Sequence, residues 1–302
     1  MSLVAPQAKL SGNTQGALWM LASGVGFTVM VVCIKLLAER GFAETQMVFV
    51  RCALGMVLLT PLILRARDNV WATPRPWVMA RRCLATGIGL LASFYAFAHL
   101  PLATAQSLSF TRSLFVVVLA MLLLREQVGL LRQGAVVIGF IGVLVMVRPA
   151  ELEVSWAVIA MLGSAALVAY SVVTIKDLTR DHSTLTLVAW LNATTALVGL
   201  PLALFAWRTP DLADAALFLV VGFAGVAAQS CFTRGIAAGE ASMMALMDYL
   251  RLPMAALAGF IVFHEVLDAW TLAGAVIVIG STVFITVREQ MLEKKRAAPP
   301  PD

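Results

Sequence analysis

The sequence predicts an all-α membrane protein: ten transmembrane helices arranged as two inverted five-helix repeats. Three observations predict it. Of the 302 residues, 61% are hydrophobic and 13% charged, whereas soluble chains run near half apolar and a quarter charged. The apolar residues fall into ten runs of the length that crosses a bilayer core, about 20 residues for a helix. Finally, residues of the first half recur in the second at a nearly constant offset. Ten spans consume about 200 residues and leave only short loops and tails. Soluble enzymes, nucleic-acid binders and secreted disulfide scaffolds are excluded on that arithmetic.

The first five spans are Gly16–Leu37, Gln46–Leu64, Met79–His99, Leu102–Leu124 and Leu130–Val147. The second five are Trp156–Ile175, Thr184–Trp207, Ala213–Ala237, Ala241–Phe263 and Ala269–Val287. Charges and prolines mark most breaks: Arg65–Asp68 with Pro74 and Pro76, Pro101, Arg125–Glu126, Pro149–Glu153, Lys176–His182, Pro210–Asp211 and Glu265–Asp268. Strands are excluded, because a membrane barrel needs runs of about ten residues alternating with period two. The organisation expected is a tail over 1–15, a first repeat over 16–148, a second over 149–288 and a solvated, unstructured tail over 289–302. Residues 1–15 lack the basic stretch and cleavage site of a signal peptide, so the first span is expected to remain as a helix. Cys33, Cys52, Cys83 and Cys231 are far apart inside apolar runs and read as small buried hydrophobes.

Charge gives the orientation. With both termini on one face, that face collects fifteen of the 22 Lys and Arg residues, the opposite face four, and three lie inside spans. Cytoplasmic loops carry such an excess. Both termini are therefore expected in the cytoplasm, and an even number of spans agrees.

The repeat is explicit. Met20, Leu21, Ser23 and Ile34–Lys35 match Met161, Leu162, Ser164 and Ile175–Lys176 at an offset of 141. Arg112 and Glu126 match Arg251 and Glu265 at 139, and Gly134–Val136 matches Gly274–Val276 at 140. Each half holds five spans, an odd number, so the second copy sits upside down. Inverted repeats characterise secondary transporters, whose sites lie near the midplane between the halves.

Phe94-Tyr95-Ala96-Phe97-Ala98-His99-Leu100-Pro101, Leu124-Arg125-Glu126 and Gly139-Phe140-Ile141-Gly142 in the first half, with Asp248-Tyr249-Leu250-Arg251-Leu252-Pro253 and Phe263-His264-Glu265 in the second, resemble the ten-helix EamA family of the drug/metabolite transporter superfamily. The resemblance covers nearly the whole chain. It implies transport of a small metabolite across a bacterial-type inner membrane by alternating access, often export of amino acids. It also implies a central cavity lined by spans one, three, four, six, eight and nine. One departure is Leu114, where such proteins often carry a proline; the ninth span keeps Pro253.

An ionisable group inside a span costs about 2.5–3.5 kcal/mol on insertion scales, so each needs a partner or a purpose. Arg112 lies in the middle of the fourth span. Asp248 and Arg251 lie in the ninth at i, i+3, on one helical face. Either Asp248 and Arg251 form an internal ion pair, or Arg112 or Arg251 binds a substrate carboxylate through its donor fork. Pro253 cannot donate to the Tyr249 carbonyl and is expected to kink the ninth helix there, beside the cluster, as a hinge or a static bend. Tyr249, Tyr95, Tyr170, Trp190 and Phe94 are candidate aromatic walls of a binding cavity. Met243 and Met247 would suit an apolar part of the ligand, although packing explains most such residues equally well. Lys35 is expected to snorkel to the headgroups and Glu265 to be hydrated. No catalytic constellation, metal-ligand cluster or cofactor motif is found, and His99, His182 and His264 lie at separate loops.

The partners expected are therefore a small-molecule substrate and the lipid bilayer, without cofactor, metal or nucleic acid. The sequence leaves the oligomeric state open and is compatible with a monomer. The expected activity is export of amino acids, including aromatic or hydrophobic ones. The alternative is uptake or exchange of a larger metabolite of the nucleoside, riboflavin or S-adenosylmethionine type. An intramembrane enzyme is the rival of another class.

Overall fold

The computed structural model describes residues 12–66, 69–123, 130–147, 155–178, 181–238, 248, 250–266 and 268–297. Among them are eleven α-helices and no strand. The first repeat holds α1 (Gly12–Glu39), α2 (Glu44–Arg65), α3 (Pro76–His99), α4 (Leu102–Ser109), α5 (Arg112–Leu123) and α6 (Leu130–Val147). The second holds α7 (Trp156–Leu178), α8 (Thr184–Phe205), α9 (Leu212–Ala238), α10 (Arg251–Phe263) and α11 (Ala269–Ala297). Of these, α1, α2, α7, α8 and α9 are long and apolar enough to cross a membrane.

The helices exchange partners between repeats. The first span of each half packs on the third span of the other: α1 on α9, and α7 on α3. The second spans pair with each other as α2 and α8, and the last spans as α6 and α11. This reciprocity is what a pseudo-twofold axis produces. Pro61 and Pro201, 140 residues apart, occupy the same place near the ends of α2 and α8. Small residues permit the close approaches. A Cβ on Gly26 of α1 would stand 2.9 Å from Ala228 Cβ of α9, so only glycine lets these backbones meet. On the matching interface, Ser164 of α7 donates to the Gly89 carbonyl of α3 at 2.7 Å.

Apolar side chains cover the outside as well as the core. Phe205 and Leu212 are each 90% exposed and Leu64 79%, surface that suits hydrocarbon rather than water. The main core joins Ile34 and Leu37 of α1, Met47 of α2, Phe94 of α3 and Leu102 and Leu108 of α4.

Two expectations need correction. The fourth span is not one helix: it stops at Ser109 and restarts at Arg112. No proline is involved. Ser109 Oγ donates to the Gln106 carbonyl and Thr111 Oγ1 to the Leu108 carbonyl, both at 2.7 Å. These side chains compete with the ladder, and the Phe110 and Thr111 amides turn instead to carbonyls three residues back. The carboxyl-terminal segment was expected to be unstructured from residue 289, yet α11 continues to Ala297. Its Glu289-Gln290-Met291-Leu292-Glu293-Lys294 run consists of strong helix formers.

Candidate functional site

Arg112 is the first residue of α5 and Arg251 the first of α10. They are repeat mates, 139 residues apart, and the fold brings them to one carboxylate. Asp248 is helical and 6% exposed, Leu250 lies in a turn, and α10 begins immediately after it. Asp248 Oδ2 accepts from Arg112 Nη2. Its Oδ1 faces Arg251 Nε at 2.8 Å, an ion pair not aligned as a hydrogen bond. The position matching Asp248 in the first repeat is Ser109, so among the described residues two guanidiniums meet one carboxylate here. Two helix N-termini, each with partial positive charge, begin at the same arginines. The arrangement is electropositive, like the interrupted helices of carriers that hold anionic substrate groups.

The two arginines differ in their surroundings. Arg251 is 7% exposed. Its guanidinium lies 4.0 Å from the Phe27 ring centroid and 5.3 Å from that of Phe232, in cation–π range. Its Nη2 donates to Ser23 Oγ at 3.3 Å. Arg112 keeps 27% of its side chain open, against 9% for Arg251. The Asp248–Arg251 ion pair read from the i, i+3 spacing is present, and Arg112 is its third member.

The other candidates lie elsewhere or outside the described residues. Phe94 is 1% exposed within the main core. Tyr95 stacks on His99, ring centroids 4.2 Å apart, near the end of α3. Tyr170 is half-buried on α7. Trp190 packs with Met79 and Leu187 and meets Trp71 edge-on at 6.2 Å. Pro253 is exposed in the first turn of α10, where its missing N–H costs no ladder bond. Tyr249, Met243 and Met247 lie outside the described residues, so the kink expected at Tyr249 is not described.

A second polar cluster was not foreseen. Lys35, at the end of α1, pairs with Glu265 just beyond α10 and donates to the Leu100 carbonyl at 3.1 Å. The other Glu265 oxygen accepts the first amide of α4, from Leu102, at 2.8 Å. Pro101 offers α4 no side-chain cap, and Glu265 supplies one from the other repeat. Their side chains are 12% and 17% exposed, so Lys35 does not snorkel to headgroups and Glu265 is not freely hydrated. Nearby, a cleft of about 470 Å³ is lined by Glu39, Phe42, Glu44 and His99, none of them among the predicted site residues.

Comparison with known proteins agrees with this architecture. The model of the EamA-like transporter family matches residues 14–148 and 155–287. An S-adenosylmethionine uptake transporter of Rickettsia prowazekii is 30% identical over 275 residues, covering 91% of this chain and 93% of its own. A riboflavin transporter of Rhizobium johnstonii is 29% identical, with 93% and 94% covered. A pseudopaline exporter of Pseudomonas aeruginosa is 28% identical, with 90% and 95% covered. One solved crystal structure superposes with a TM-score of 0.62 at 18% identity, covering 90% of this chain and 98% of that one, a likeness of fold. Two matched repeats, the multi-pass helical architecture and the similarity to named transporters support one assignment: this chain belongs to the EamA-like transporter family.

Proposed function

We propose that this chain is a secondary carrier of a bacterial inner membrane, with both termini in the cytoplasm. It moves a metabolite of the S-adenosylmethionine or riboflavin class, by uptake or exchange, through alternating access between its two repeats. The observation that carries this reading is the convergence of Arg112 and Arg251, one from each repeat, on Asp248. A site that joins residues of both halves is remade when the halves rock against each other, as alternating access requires. The names of the relatives favour this substrate class over the amino-acid export expected from the sequence. Asp248 is committed to two arginines, which argues against its serving as a free proton carrier.

The test is uptake and counterflow in vesicles containing only this protein, with labelled S-adenosylmethionine, riboflavin and L-phenylalanine. Saturable movement of either of the first two supports the reading. Movement of phenylalanine alone restores amino-acid transport, and movement of none removes the proposed substrate class.

A further inference from the structure

We infer that Arg112 reads a carboxylate on the transported molecule, while Arg251 and Asp248 are positioning residues that hold it ready. This deepens the proposed function and rests on it for the word transported; the carboxylate site itself stands on geometry.

Charge comes first. Among the described residues two guanidiniums share one carboxylate, so the cluster keeps one positive charge in excess, beside the N-termini of α5 and α10. An excess charge among apolar helices is costly, and a carboxylate from outside would cancel it. A neutral ligand such as riboflavin cannot. Within the proposed class the excess charge therefore selects a carboxylate-bearing metabolite of the S-adenosylmethionine type, and movement of riboflavin alone would overturn the inference.

The surroundings then separate the mates. Arg251 is stacked by two phenylalanines, bonded to Ser23 and paired with Asp248. Turning its fork toward a ligand would break all of these contacts. Arg112 has Asp248 as its ion-pair partner among the described residues, and a quarter of its side chain stays open. A guanidinium has five N–H donors, so holding Asp248 through one nitrogen leaves capacity for a second carboxylate in the paired geometry that such groups prefer. Asp248 fixes Arg112 to Arg251 and thus ties the α4–α5 break of one repeat to the start of α10 in the other. Ser109, its counterpart in the first repeat, cannot carry that charge. The asymmetry allots one arginine to anchoring and one to recognition.

The experiment uses the full chain in detergent micelles and needs no knowledge of the natural substrate. Thermal unfolding is followed while sodium acetate or sodium benzoate is titrated against sodium chloride at equal ionic strength. The wild-type chain is expected to show a saturable, carboxylate-specific rise in Tm. Arg112→Gln loses its pair with Asp248 and, measured against its own Tm in chloride, should weaken the carboxylate response by roughly tenfold to a hundredfold, the value of a charge-assisted hydrogen bond. Asp248→Asn removes the resident counter-ion and should strengthen the response while lowering Tm in chloride. A purely structural Asp248 would lower Tm without that gain. Should Arg112→Gln fail to fold, Arg112→Lys keeps the charge but not the fork and should show a weakened response. The inference is overturned if wild type shows no carboxylate effect, if Arg112→Gln retains the whole of it, or if Asp248→Asn loses it. Failure of transport with the carboxylate response intact would count against the proposed function alone.

Discussion

Replacing Glu265 by glutamine removes one charge and almost no volume. Lys35 then keeps the Leu100 carbonyl at 3.1 Å and the Phe263 ring at 4.9 Å, in a setting where both side chains are less than a fifth exposed. Stripping one partner from a fully buried pair costs about 3–5 kcal/mol. The remaining exposure and the flexible lysine stem bring the figure here to about 2–3 kcal/mol. Glutamine still accepts from the Leu102 amide, whereas alanine also uncaps α4 and should cost about 1 kcal/mol more. The sharper reading is a double-mutant cycle with Lys35→Met. If the two groups act as a pair, the double variant should be less destabilised than the sum of the singles by about 1.5–3 kcal/mol. Reversible unfolding in mixed micelles, followed by tryptophan fluorescence, supplies the four free energies. Additivity to within about 0.5 kcal/mol would refute the pairing, and equal stability of the glutamine and alanine variants would refute the cross-repeat cap.

Three further outcomes follow from contacts already described. Gly26→Leu forces a side chain against Ala228 and should cost at least about 1–3 kcal/mol by overpacking, seen as a lower unfolding midpoint and a loss of monodisperse protein. Thr111→Val removes the hydroxyl that competes for the Leu108 carbonyl; stability should change by only about 1 kcal/mol, while hydrogen exchange at Phe110–Arg112 slows as the ladder closes. Asp181→Asn breaks a pair with Arg75 whose side chains are 44% and 31% exposed. It should therefore cost less than about 1 kcal/mol, and less again in high salt, by the same unfolding assay.

Span lengths and repeat offsets were legible because the bilayer imposes a length and gene duplication leaves matched residues in place. The Asp248–Arg251 pair was legible because it is local, one helical turn apart. Arg112 was visible as a costly mid-span charge, but its junction with Asp248, 136 residues away, depends on packing between repeats that periodicity does not record. Lys35 and Glu265 were misread for the same reason: span ends usually point to water, and their pairing crosses 230 residues. Ser23 did carry a signal, its recurrence as Ser164, although nothing in that match named Arg251 as its partner. The break at Phe110–Thr111 was hidden because the apolar run Leu102–Leu124 carries no proline or glycine to mark it. Three hydroxyl-bearing residues in Ser107-Leu108-Ser109-Phe110-Thr111 were the clue, since such side chains bond to nearby carbonyls.

The most direct test of the carrier account is counterflow of labelled S-adenosylmethionine into vesicles containing only this protein, compared between wild type and Arg112→Gln. The account predicts saturable counterflow in wild type and its loss in a variant that still folds. Equal flux through both would contradict the role of Arg112, and flux of neither S-adenosylmethionine nor riboflavin above that through protein-free vesicles would contradict the carrier account.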